Sequence, residues 1–174
     1  MLCLLLLSWI AFAPLGQARP WKPAMKQLAS DYATIVDDRN ARDAKVIFWL
    51  APPIMDSGPT ADLIDRYVII GVARGHFSSV GSVTFDPIDS LQVKDSNARP
   101  LRRLSGEEIP PLVAGTVAIM ESMFGQSLGA FGKGMHWFVF AGGTVHACGN
   151  GGISIPFAGE TYTYDTPFPG CPHA

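Results

Sequence analysis

Short apolar runs that end at glycine or proline recur along this chain, and they constrain its fold more than any other feature. The first run, VIFWL at 46–50, is β-branched and aromatic and stops at the proline pair 52–53. A second run, YVIIGV, follows at 67–72. Runs of this length and composition are typical of buried strands. Several of them separated by turn residues favour a mainly antiparallel sheet.

The later parts of the chain repeat this strand pattern. Apolar and polar residues alternate at 83–85 and again at 91–93, which is the spacing of strands with one buried face. Further on, segments 153–157 and 160–165 flank the pair Ala158-Gly159. Two strand-like segments around such a short connection predict a β-hairpin.

Two other segments have the apolar spacing of helices. One lies near the N-terminus, where apolar residues recur every three or four positions at Met25, Leu28, Ala29, Tyr32, Ile35 and Val36. The other follows a capping-box pattern at Ser105–Glu108 and a proline pair at 110–111. We therefore expect an α+β fold with mainly antiparallel, sandwich-like β structure, an N-terminal helix and one inserted helix at about 110–129.

The N-terminus predicts export. Residues 1–18 carry no charge, and an apolar core is followed by the small residues Gly16 and Ala18. This is the layout of a secretory signal peptide, although the usual positive segment before the core is missing. A retained anchor stays open, but the apolar run is shorter than the roughly 20 residues that a span needs. We expect a signal peptide at 1–18 and a single globular domain at 19–174, secreted or periplasmic, with no membrane span after signal removal.

The cysteines fit this compartment. Beyond the signal peptide the chain keeps two of them, Cys148 and Cys171. An even pair in an exported protein predicts one disulfide. Closing a loop of this length stabilises the fold by on the order of 3 kcal/mol in the chain-entropy model.

The stretch HWFVFAGGTVHACGNGG, at 136–152, resembles a reactive histidine and cysteine cluster. The pair Gly142-Gly143 predicts a tight hairpin turn, with the two arms of the stretch paired across it. In that register His136 and His146 point to opposite faces, so they cannot share one metal ion. A zinc site needs three or four ligands, and no further histidine or cysteine lies close by. We expect neither a metal nor another cofactor.

Other activities lack their sequence signals. A cysteine nucleophile must be a free thiolate, so a disulfide at Cys148 excludes that role. The segment GQSLG at 125–129 has the G-x-S-x-G spacing, but Ser127 is expected at a helix end and not on the strand-to-helix turn that a nucleophile elbow needs. A catalytic triad scattered in sequence stays open. With a formal net charge of −2 and no basic cluster beyond a few arginines near position 100, the chain is not expected to bind nucleic acid.

Aromatic residues near the C-terminus are the positive functional signal. Tyr162 and Tyr164 share one face of their strand, with Glu160 beside them. Half-buried rings packed against a neighbouring strand are the simpler explanation. As a hypothesis, these residues form a binding face for a protein, peptide or glycan ligand with Trp137 and His146. We therefore expect a small exported binding or interaction domain without catalysis; the alternatives are an exported hydrolase and a structural envelope component.

Overall fold

The computed structural model describes residues 33–38, 43–51, 59–168 and Cys171, with 33–38 and 59–60 described by their backbone only. The signal peptide expected at 1–18 lies outside these residues. So does most of the N-terminal helix expected from the stripe that begins at Met25. The described chain forms two antiparallel sheets with helices between the strands.

The larger sheet contains the apolar strands that the sequence predicts. Its members are β1 (Ala33–Asp38), β2 (Asp43–Leu50), β3 (Tyr67–Phe77), β4 (Val83–Phe85), β6 (Arg103–Leu104) and β7 (His136–Ala141). The strand order is β1-β2-β3-β7-β6, and β4 pairs with the end of β3. All pairs are antiparallel. Its central strands are buried on both faces, which explains their continuous apolar sequences.

The smaller sheet holds the predicted C-terminal hairpin. Its strands are β5 (Lys94–Asp95), β8 (Gly151–Phe157) and β9 (Glu160–Thr166), in the order β5-β8-β9. Ala158 and Gly159 both have positive φ, as a tight hairpin turn requires, so the hairpin prediction is confirmed. Leu91 and Val93 are buried as their alternation suggests, but the strand begins only at Lys94.

Three helices and one 3₁₀ turn lie among the described residues, and of these the sequence predicted only the helix at about 110–129. They are α1 (Pro59–Ile64), a 3₁₀ turn (Gly106–Glu108), α2 (Pro111–Ser127) and α3 (Ala130–Lys133). Ser105 and Glu108 form the predicted capping box on the 3₁₀ turn, and Pro111 opens α2 at the first helical position. The inserted helix expected at about 110–129 is therefore confirmed as α2. Among the described residues, no helix is both long and apolar enough to cross a membrane.

Side chains of β2 alternate between two packed layers. Phe48 points to the helices, where its ring centroid lies 4.8 Å from that of Phe124 in α2. Trp49 points to the other side, where its ring lies 4.9 Å from Phe168 and 6.1 Å from Tyr164. Helices thus cover one face of the larger sheet, and the smaller sheet covers the other. Both sheets are open, so the fold is α+β with mainly antiparallel sheets and the sandwich-like closure is not confirmed.

The predicted hairpin at Gly142-Gly143 is wrong. A turn does form there, because Val145 N–H donates to Gly142 C=O, but the chain beyond it is not a strand. Instead, β7 pairs with β3 on one edge and β6 on the other. The run from Trp137 to Phe140 is apolar on both faces, so it gains more burial at the centre of a sheet than in a local hairpin.

The prediction that the N-terminal helix extends to Val36 is also wrong. Residues Ala33–Asp38 form β1, which pairs residue by residue with β2 from Ala33 opposite Phe48 to Asp38 opposite Asp43. The helical spacing of Ile35 and Val36 is compatible with either structure in so short a run. Their β-branched side chains and the free edge of β2 favour the strand.

Candidate functional site

The predicted disulfide is confirmed. Cys148 and Cys171 are bonded, with their Cα atoms 5.5 Å apart. The bond fixes the loop after β7 to the end of the chain, and Phe168 N–H reinforces this link by donating to Ala147 C=O at 2.9 Å. Because its sulfur is bonded, Cys148 offers no thiolate for catalysis or metal binding.

The structure distributes the five residues of the expected binding face over three places. Trp137 lies on the helix side of the larger sheet, where its ring contacts those of Phe48 and Phe124. Tyr164 is buried between the two sheets, and its hydroxyl donates to Ile47 C=O at 2.9 Å. Tyr164 is therefore buried, whereas Trp137 is only partly buried.

The other three residues of that face are more exposed. His146 lies near the α1–β3 turn, where its Nδ1 is 3.1 Å from Asp65 Oδ2. Glu160 and Tyr162 lie together at the start of β9 and form a hydrogen bond, with the tyrosine hydroxyl donating. Tyr162 shares a face with Tyr164, as the alternation predicts, and both face the larger sheet. The binding role of these residues stays a prediction.

Glu160 and Tyr162 belong to a larger group of polar side chains, which we call the charged belt. It crosses the sheet-covered face of β2 and β3 and consists of Asp43, Lys45, Arg74, His76, Asp86, Glu160 and Tyr162. Cross-strand pairing creates it, because Asp43 lies opposite His76 and Lys45 lies opposite Arg74. No local sequence motif marks the belt, because residues such as Lys45 and Glu160 are 115 positions apart.

The hairpin end of the belt is centred on Lys45. Its ammonium group donates to Glu160 Oε2 at 3.1 Å, although only 10% of the lysine side chain is exposed. The hydrogen bond from Tyr162, together with Lys45, lowers the pKa of Glu160 below its ordinary value. Burial and the neighbouring Glu160 carboxylate raise the pKa of Tyr162 well above its ordinary value. Glu160 is therefore a stable anion that holds both the lysine and the neutral phenol.

Arg74 occupies the middle of the belt, between two carboxylates. Its Nε and Nη2 atoms both donate to Asp43, at 3.2 and 3.1 Å from Oδ2. Burial alone would raise the pKa of Asp43, but hydrogen bonds and charge from Arg74 outweigh it, and the pKa is lowered. On its other side, Arg74 Nη1 lies 3.5 Å from Asp86 Oδ2. A two-point contact of this kind fixes the guanidinium plane more firmly than one hydrogen bond would.

The far end of the belt reaches Asp86. His76 Nε2 lies 3.0 Å from Asp86 Oδ1, and its Nδ1 lies 3.7 Å from Asp43 Oδ1. The backbone of Asp86 is also fixed, because its N–H donates to Arg74 C=O at 3.0 Å. The Asp86 carboxylate is therefore held in place and compensated by two neighbouring basic groups.

A crevice opens beside Asp86. β4 and β7 follow one another along the same edge of β3: β4 ends at Phe85 opposite Gly75, and β7 starts at His136 opposite Val72. The gap between these two ends is a shallow, open volume of about 480 Å³. Its lining comes from the end of β4, from α3 and from the start of β7: Phe85, Asp86, Pro87, Ala130, Lys133, Gly134 and His136.

Lys133 supplies the crevice with a positive group. It forms no ion pair with any residue in the described part of the chain, whereas Asp86 lies beside Arg74 and His76. His136 adds a second nitrogen donor, and the remaining lining is apolar or backbone. In the sequence, Phe85 and Pro87 mark a strand and a turn, and His136 belongs to the stretch that resembles a reactive cluster. The site itself depends on where two distant strands end.

The described residues do not assemble a hydrolytic centre. His146 and Asp65 resemble the base and orienting group of a triad, but no described serine, threonine or cysteine is hydrogen-bonded to His146. Asp65 instead ties two loops together by also accepting the Ala147 N–H at 3.3 Å. Within the same residues, no group of three or more histidine, cysteine or acidic side chains could hold a metal ion. No protein-family model, no curated protein and no solved structure matches the chain.

Proposed function

We propose that this protein is an exported, non-catalytic binding domain, and that its ligand occupies the crevice beside Asp86. The apolar leader at 1–18 and the Cys148–Cys171 disulfide support export, since such bonds persist in oxidising compartments. The observation that carries the binding role is Lys133, which has no ion-pair partner among the described residues and lies next to an apolar surface in a crevice of about 480 Å³.

The chemistry of the lining selects the ligand. Lys133 and His136 offer nitrogen donors to an anionic group, while Phe85 and Pro87 offer apolar contacts to an uncharged body. Asp86 disfavours a ligand with its negative charge spread over the whole molecule. The ligand is therefore a carboxylate on an apolar body, such as a small aromatic acid or the C-terminus of a peptide that ends in an apolar residue.

The charged belt supports this crevice from behind. Arg74 and His76 hold the Asp86 carboxylate, and Asp43 holds Arg74 in turn. A wall fixed in this way loses little conformational entropy when a ligand binds.

Calorimetric titration with three matched probes tests the proposal. Phenylacetate should bind the wild-type protein, whereas phenylacetamide and phenethylamine, which lack the negative charge, should bind at least tenfold more weakly. Tenfold corresponds to about 1.4 kcal/mol, a reasonable value for one partly exposed charge contact. A peptide ending in phenylalanine and its C-terminally amidated form then distinguish a peptide ligand from a free acid.

A pair of lysine variants provides the control. Lys133→Ala should lose most of the preference for phenylacetate over phenylacetamide, while Lys94→Ala, which removes a lysine from β5, should keep it. Equal binding of the acid, amide and amine would overturn the proposal. So would a Lys133→Ala protein that binds phenylacetate as the wild type does.

A further inference from the structure

Helix α2 presents an apolar ridge to solvent. Large apolar side chains are exposed at only a few described positions, and most of them belong to α2: Leu112 is 50%, Ile119 62% and Met123 48% exposed. Their spacing of seven and four residues places all three along one side of the helix. This ridge lies beside the stripe of Val113 and Thr116, which is buried. Contiguous exposed apolar surface of this kind marks an interaction site.

A glycine interrupts the ridge, and no neighbour among the described residues requires it there. Gly115 lies one turn before Ile119, and a Cβ atom added to it would meet nothing within 4 Å. Glycine in a helix interior costs roughly 1 kcal/mol relative to alanine. Several other glycines prevent collisions, as at Gly71, where a Cβ would come within 2.6 Å of the Met135 side chain, and others adopt a positive φ. At Gly115 the missing side chain leaves an open notch on the surface.

The notch and the ridge match each other by symmetry. Gly115 precedes Ile119 by four positions, and Met123 follows it by four. If two copies of α2 pack antiparallel around a two-fold axis at Ile119, each Met123 falls opposite the Gly115 of the other copy. A protruding side chain then enters an empty notch twice, and the two Ile119 side chains meet at the axis. Such self-complementarity is what a two-fold interface between identical chains requires.

Charge also favours a second copy over another partner. α2 carries a single charged residue, Glu121, and the helical spacing places it on the side away from Ile119. Two identical ridges therefore meet without like-charge repulsion, and the ridge offers no charge to select a charged partner helix. We infer that α2 is the interface of a homodimer, with Met123 of each copy seated against Gly115 of the other.

Sedimentation of the full-length exported protein tests this inference. A single helix pair is a small interface, so we expect a weak dimer. The weight-average molecular mass should therefore rise as the protein concentration increases from about 1 µM to 1 mM. Ile119→Glu places two carboxylates at the axis and should leave a monomer over that range. Val80→Glu makes the same change at a side chain that is 88% exposed in the turn before β4, and should leave the dimer intact.

A second substitution separates dimer loss from misfolding. Gly115→Gln fills the notch with a residue that favours helices, so the monomer should unfold at equal or higher denaturant concentration while dimerisation weakens at least tenfold. Cross-linking adds a geometric test. Cysteine at position 119 should form an intermolecular disulfide on oxidation, whereas cysteine at position 121 should not.

Three outcomes would overturn the inference. The wild type could remain monomeric at all concentrations. It could form a dimer that neither Ile119→Glu nor Gly115→Gln weakens. Finally, a chain without residues 19–32 could dimerise while the complete mature chain does not, which would mean that the N-terminal segment occupies the ridge instead.

Discussion

Phe48 and Trp49 are consecutive residues of β2, and their rings pack into opposite layers of the molecule. Phe48 contacts Phe124 of the inserted helix, whereas Trp49 contacts Tyr164 and Phe168 on the side of the smaller sheet. One strand therefore joins the helices to the C-terminal hairpin. The charged belt lies farther along the Trp49 face of the same strand, at Asp43 and Lys45. Packing at Trp49 and the position of the belt are consequently linked.

Loss of the Trp49 ring should destabilise the fold strongly. The side chain is 1% exposed, and its removal leaves a large cavity between the two sheets. Trp49→Ala should lower the free energy of unfolding by about 3–5 kcal/mol in urea titrations. Val80→Ala, at an exposed turn, should change it by less than about 0.5 kcal/mol. A Trp49→Ala protein as stable as the wild type would show that the two sheets do not pack through this residue.

Reduction of the disulfide should also weaken the fold. Cys148 and Cys171 close a loop with a sequence separation of 23. The chain-entropy model gives about 3 kcal/mol for a loop of this length. Urea unfolding of the wild type with and without reductant measures the loss, and a Cys148→Ser, Cys171→Ser protein should be weaker from the start and insensitive to reductant. Equal wild-type stability under both conditions would contradict the prediction.

The pair Asp43 and Arg74 should be strongly coupled. Asp43 is nearly buried, and Arg74 donates to it from two nitrogen atoms. Asp43→Asn alone should cost about 1–3 kcal/mol of unfolding free energy because a charged hydrogen-bond partner is lost. In a double-mutant cycle with Arg74→Gln, the two losses should add to clearly more than the loss in the double variant. Strictly additive losses would mean that the contact contributes nothing.

Acid should weaken the protein through the same carboxylate. The pKa of Asp43 is lowered in the folded protein, so the folded state binds its proton less readily than the unfolded state, where the pKa is about 3.9. The stabilisation by the ionised Asp43 is therefore complete above about pH 4, and it decreases as the pH falls through the folded-state pKa of Asp43. Urea titrations between pH 7 and pH 2 should show the wild type approaching Asp43→Asn in stability at the acid end. A constant difference between them would contradict this sign.

The sequence predicted the strands and helices better than their partners. Runs such as 46–50 and 67–72 are buried strands, and the proline pair correctly marked the start of the inserted helix, whereas the capping box belongs to the 3₁₀ turn before it. These features depend on local side-chain chemistry. The hairpin at Gly142-Gly143 failed because the turn signal is local, whereas the partners of β7 are set by how much surface a central strand buries.

The candidate site could not be predicted for the same reason. Asp43 and Lys45 are ordinary polar residues in the sequence, and only pairing with β3 and approach of the β8–β9 hairpin make them a network. The crevice is defined by two strand ends on one edge of β3, from residues about fifty positions apart. Of the expected binding face, Glu160 and Tyr162 do lie on the belt. Their partners could not be inferred without the fold.

Chemical-shift mapping of phenylacetate on the ¹⁵N-labelled protein tests the central proposal most directly. We predict saturable shifts for the amides of Phe85 and Asp86 and for those of residues 130–136, with smaller shifts along the belt at Arg74 and His76. Lys133→Ala should reduce the apparent affinity for these same signals, while Lys94→Ala should not. Shifts confined to another region of the molecule would contradict a carboxylate site in the crevice. The absence of any shift at phenylacetate concentrations up to about 10 mM would contradict it too, because the binding free energy would then be weaker than roughly −3 kcal/mol.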